Sequence, residues 1–195
     1  MIRSKNLLLN FSVGASLLGG SVLAEENSGW YLTGSIGGSQ ISNIEYINAA
    51  GVRNGQKVTF DNGLGLDLGF GYDFGSTRIE GTWSRAQSPG GTDRGTVFVT
   101  DTTIDSILLS AYFDFRSSKK WSPFVGVSVG STRVDHLNVD DSGASYGIGL
   151  GLSYKTSDTT EVYFKSTGIV TPELDTLNIT NGTYGNGTIG VRFLF

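Results

Sequence analysis

From Phe60 to Tyr72 the chain alternates with a period of two. Phe60, Leu64, Leu66, Leu68, Phe70 and Tyr72 share one face with the single polar Asn62, and Asp61, Gly63, Gly65, Asp67, Gly69 and Gly71 share the other. Successive side chains of a strand point to opposite sides, so this spacing predicts one apolar face and one face of glycine and acid. The outer face of a soluble sandwich would be rich in Lys, Glu and Thr. Glycine instead suits a crowded barrel interior or a strand that must bend. The leucines are therefore expected to meet lipid and the glycines an enclosed lumen.

The pattern recurs along the chain. Trp30, Leu32, Gly34 and Ile36 oppose Tyr31, Thr33, Ser35 and Gly37; Ile79, Gly81 and Trp83 oppose Arg78, Glu80, Thr82 and Ser84. Ile107, Leu109, Ala111, Phe113 and Phe115 oppose a polar face that Leu108 breaks once. Val125, Val127 and Val129 form a fifth apolar edge, Tyr146 to Tyr154 a sixth, Val162 and Phe164 a seventh, and Ile189, Val191, Phe193 and Phe195 the last. Eight strands result. Their connections alternate between short polar turns (73–76, 116–120 and 155–159) and long excursions (roughly 40–59, 86–103, 131–144 and 168–183). Short turns on one rim and long loops on the other are expected of a spanning barrel, with the turns in the periplasm. Trp30, Tyr72, Phe74, Phe113, Phe115, Trp121, Tyr154, Phe193 and Phe195 all fall at the short-turn rim and predict an aromatic girdle. Phe60, Trp83, Tyr146 and Tyr184 are expected to form a sparser belt at the other rim.

Composition supports a barrel over a globular core. Only 38% of the 195 residues are hydrophobic and 29 are glycine, which is poor material for a soluble interior. A barrel strand needs about 9 to 11 residues, with every second one facing lipid. Arg3 and Lys5, the apolar run Leu7 to Leu18, and the small residues Val22 and Ala24 predict a signal peptide over residues 1–24, cut before Glu25. One barrel domain, 25–195, remains. The leader carries two basic groups and no acid, so its removal takes the formal charge from −4 to −6. An acidic chain argues against nucleic acid as a partner. Cysteine is absent, so closure of the sheet rather than disulfides must hold the exported chain together.

The lumen face carries the candidate chemistry. Asp67, Arg78, Glu80, Asp114, Glu161, Lys165 and Arg192 would sit in an eight-stranded interior just wide enough for side chains to fill. Enclosed charges must pair or stay hydrated. The expected arrangement is a polar plug, with Arg78 and Arg192 matched by Glu80, Glu161 or Asp114 in the periplasmic half and Lys165 serving the upper half. The alternative is a narrow ion pathway lined by the same groups. Asp135, Asp140 and Asp141 read as a solvated acidic loop rather than a calcium site, so neither metal nor cofactor is expected. The Asn-Xaa-Thr triplets at Asn178, Asn181 and Asn186 read as turn-forming sequence. Gly-Xaa-Gly patterns precede no helix and do not suggest phosphate binding.

Five segments carry a family resemblance: Gly29-Trp30-Tyr31, Leu108 to Phe115, Trp121 to Val127, Tyr146 to Gly151, and Gly190-Val191-Arg192-Phe193-Leu194-Phe195. The chain resembles the small eight-stranded outer-membrane barrels, namely the transmembrane domain of outer-membrane protein A and the opacity-type surface proteins. The resemblance implies an all-β, up-and-down antiparallel transmembrane barrel in a bacterial outer membrane, with both termini in the periplasm. It also implies that Phe195, a C-terminal aromatic on an alternating strand, is an assembly signal read by the barrel-assembly machinery. Outer-membrane lipids and lipopolysaccharide are the expected surroundings, the chain is expected to be a monomer, and the loops could meet an unknown surface partner. Some relatives are lipid A hydrolases with a His-Xaa-Ser pattern. Here His136-Leu137-Asn138 puts an amide at the nucleophile position, and a serine nucleophile needs an adjacent base. No enzyme is expected. The favoured role is envelope integrity or surface contact through the loops, with a porin-like low-conductance channel as the alternative.

Overall fold

The computed structural model describes residues 28–42, 44–47, 53–93, 96–98, 101–115, 120–136, 139–170 and 182–195. The leader, Leu137-Asn138, the triplet at Asn178 and Asn181 itself lie outside them.

Eight strands close into an antiparallel barrel: β1 (Gly29–Ile41), β4 (Gly63–Asp73), β5 (Thr77–Ser88), β8 (Thr102–Asp114), β9 (Trp121–His136), β10 (Val139–Lys155), β11 (Thr160–Val170) and β12 (Thr183–Leu194). Each pairs with its neighbour in sequence order, and β1 closes on β12 over the register Tyr31↔Leu194 to Ile41↔Tyr184. Lipid offers no hydrogen bonds to an open edge, so this closure is what lets so polar a backbone span a membrane. Phe195 extends the seam, its amide donating to the Trp30 carbonyl at 2.9 Å. At one tight turn Gly75 adopts φ 102°, a left-handed conformation natural to glycine, and its amide donates to Asp73 Oδ1 at 2.7 Å.

The molecule is built inside out. Leu68, Ile107, Leu109, Val127, Ile148, Ile189 and their row-mates are exposed, whereas Asp67, Arg78, Glu80, Asp114, Lys165 and Arg192 are buried. Glycines on the inner face make room for the rings there: a Cβ on Gly126 would overlap Tyr112, and one on Gly151 would overlap Phe124.

Three expectations need correction. The alternating run does not begin at Phe60: the chain breaks at Asp61-Asn62, and Phe60 ends β3 (Arg53–Phe60). Its ring is half-buried against the apolar group at the top of the lumen instead of facing lipid. Tyr184 likewise points inward, 1% exposed, and its hydroxyl shares a hydrogen bond with Ser106. The first three long excursions are also largely strand among the described residues. β9 and β10 continue as a paired ladder out to His136↔Val139. The first two excursions contribute β2 (Ile44–Ile47), β3, β6 (Gly91–Asp93) and β7 (Thr96–Phe98) to a second, four-stranded sheet in the order β2-β3-β6-β7.

Candidate functional site

The lumen is layered along its axis. Nearest the short turns, Arg78 on β5 donates from Nε and Nη2 to the two carboxylate oxygens of Asp114 on β8, at 2.6 and 3.0 Å. The pair is 2% and 5% exposed. The guanidinium lies 4.9 Å from the Tyr112 ring centre and 5.1 Å from that of Phe124, so its faces meet π-clouds while its edge meets the carboxylate. On the other side of Tyr31, Arg192 donates to Glu161 at 2.6 Å across the β11–β12 pair. Its guanidinium carbon is 5.4 Å from the Tyr31 ring centre. All four charged residues lie within a residue or two of the short-turn ends of their strands.

Further in, Lys165 Nζ is 3.1 Å from Asp67 Oδ2. That carboxylate also accepts from Ser84 Oγ at 2.7 Å and Ser35 Oγ at 3.2 Å. Glu80 accepts from two hydroxyls, Thr82 at 2.8 Å and Thr33 at 3.4 Å. Thus all seven candidate ionisable residues are gathered in one interior. Arg78 and Arg192 take Asp114 and Glu161, and Glu80 is held by threonines. Which carboxylate each arginine meets depends on strand register, which no within-strand pattern displays.

The outer third changes character. A hydroxyl relay joins Ser106, Thr132 and Ser145, with Ser106 to Thr132 at 2.7 Å and Thr132 to Ser145 at 2.9 Å. Around it pack Ile41, Ala86, Ile104, Leu108, Ile169 and Tyr184, with Phe60 and Val134 leaning on the group. Leu108, which interrupts its polar face in the sequence, is thus one member of an apolar layer. Ile41, Ala86 and Ile169 fell in segments read as excursions and Tyr184 was placed in the outer aromatic belt, so only Leu108 itself signalled the layer. Between the charged layers a residual cavity bounded by Arg78, Glu80, Tyr112, Phe124, Lys165 and Arg192 has a volume of about 10 Å³. That is at the threshold for one water molecule.

The outer surface carries the aromatics of the short-turn rim. Trp30 stacks on Phe70 at 5.0 Å and meets Tyr72 edge-on at 5.1 Å; Phe113 meets Phe115 at 5.0 Å, and Trp121 meets Tyr154 at 4.6 Å. Phe193 and Phe195 are exposed beside them, 54% and 70%. The rings therefore pack as pairs along the rim rather than singly.

A family model of the outer membrane protein β-barrel domain matches residues 11–194. The chain belongs to that family. No curated protein matches it significantly. Among solved structures, Neisserial surface protein A is 19% identical with a TM-score of 0.66, covering 88% of this chain and 100% of its own. The outer membrane protein OprG of Pseudomonas aeruginosa is 15% identical with a TM-score of 0.57, covering 88% and 98%. The N-terminal β-barrel domain of OprF from the same organism is 15% identical with a TM-score of 0.50, covering 87% and 100%. Identities this low speak to fold alone. As an outer-membrane β-barrel, the protein has hydrocarbon against its exposed Leu, Ile, Val and Phe rows. Its buried charges are enclosed by the wall.

Proposed function

We propose that this is a small surface-exposed outer-membrane protein that contributes to envelope integrity or surface contact through its extracellular strands and loops, and that its lumen is a side-chain plug. The observation that carries the reading is the filled interior. Two charged pairs at the short-turn end, a third further in and then an apolar layer enclosing a hydroxyl relay fill the axis, and the cavity among the charges amounts to about 10 Å³. A conducting path would need continuous water, and an apolar constriction resists wetting. Among the described residues, the parts offered to the outside are built on strands, in the β2-β3-β6-β7 sheet and the β9–β10 hairpin. Such a scaffold suits presentation of a contact surface.

The role is structural rather than catalytic, and lipid A from a deletion strain should have normal mass. Export follows from residues 1–24, so the mature chain should start at Glu25. Planar-bilayer recording of purified protein tests the plug. Absence of stable unitary conductance is expected, and reproducible conductance that falls on neutralising Glu80 would favour the slender channel. Replacing the extracellular loops should abolish surface contact while leaving the barrel folded.

A further inference from the structure

We propose that the periplasmic corner formed by β9, β10 and β11 binds one anionic glycerophospholipid of the inner leaflet. A groove of about 450 Å³ runs on the outer wall there, lined by Trp121, Leu152, Tyr154, Val162, Phe164 and Ile189. Leu152, Phe164 and Ile189 form its purely apolar upper wall, and the amphipathic rings of Trp121 and Tyr154 stand at its rim, the order that an acyl chain and its ester linkage present near an interface.

The headgroup end is cationic. Lys120 Nζ lies 5.9 Å from the centre of the Tyr154 ring, which itself lines the groove. The Lys155 amide donates to the Lys120 carbonyl at 2.8 Å, so two lysines leave neighbouring strands side by side. Lys155 Nζ is 3.1 Å from Asp158, whose side chain is 96% exposed. Water screens such a pair, and a phosphate can replace the carboxylate at little cost. Asp158 is the one acid in residues 155–159. The 73–76 turn, by contrast, carries no basic residue. In a chain of net negative charge, this corner concentrates positive charge directly below an apolar groove. A soluble anionic polymer would use the lysines alone, whereas a lipid anion uses both features.

The test uses the full barrel in bilayers of phosphatidylcholine, with Trp30 and Trp83 replaced by Phe so that Trp121 alone reports. Brominated phosphatidylglycerol or brominated phosphatidylcholine is added at equal mole fraction, and relative affinity is taken from quenching. Phosphatidylglycerol is expected to be preferred severalfold. Lys120→Gln should reduce the preference about fivefold, as expected for about 1 kcal/mol per near-surface lysine, and Lys120→Arg should retain it. If the tryptophan variant does not fold, native mass spectrometry of the wild type and Lys120→Gln reads retained lipid directly. Equal quenching by the two lipids, a preference that survives Lys120→Gln with Lys155→Gln, or displacement of the lipid by soluble muropeptide would overturn the proposal.

Discussion

Arg78 and Asp114 meet across the β5 and β8 strands as a two-point ion pair inside the barrel, at 2.6 and 3.0 Å, with aromatic rings over the guanidinium. Burial makes the pair asymmetric in its consequences. The two charges together roughly balance their desolvation, but either one alone is an uncompensated charge. Asp114→Asn should therefore cost about 3–5 kcal/mol, read from urea unfolding in detergent or lipid. Replacing both residues by apolar groups of similar volume should cost far less. An equal loss in single and double variants would contradict this.

Leu108 and Leu109 are adjacent yet answer to different solvents, 4% and 58% exposed. Leu108→Ala should leave a cavity in the apolar layer and destabilise by about 2–5 kcal/mol. Leu109→Ala should cost much less, because an acyl chain closes over the gap. Equal unfolding midpoints for the two variants would count against the layer.

Gly151 packs under Phe124 with no space for a side chain. Gly151→Leu should therefore overfill the lumen and cost about 1–3 kcal/mol or more. On gels run without boiling, the folded band should weaken or vanish. Gly81 faces outward, and the nearest atom to a Cβ there would be 3.9 Å away; Gly81→Leu should fold normally.

Phe195 extends the β1–β12 seam through one backbone bond while its ring is 70% exposed. Phe195→Ser should leave refolding in detergent nearly unchanged, since little packing is lost. In cells the folded outer-membrane pool should drop severalfold if the ring is the assembly signal. Equal drops in both settings would assign Phe195 a purely structural part.

The barrel was legible because a spanning strand writes its two solvents into alternate residues, as Leu64, Leu66 and Leu68 against Gly65, Asp67 and Gly69 illustrate. The seven lumen ionisable residues could be gathered for the same reason. Alternation stops being informative where the inner face itself turns apolar. Ile41, Ile104 and Ile169 line the lumen at its outer end, so the rule that apolar means outward inverts there. Phe60 and Tyr184 were misplaced by that inversion. The β2-β3-β6-β7 sheet stayed hidden for a different reason: its central pairing joins Val58 to Asp93 and Phe60 to Gly91, and contacts between separate excursions leave no local period.

The orientation of the two strand faces is tested most directly by methyl NMR of the barrel in lipid, with a nitroxide on the acyl chains. The Leu109 methyls should be strongly broadened and those of Leu108 spared. Broadening of Leu108 with Leu109 protected would turn the wall inside out and contradict the fold-to-function reading at its root.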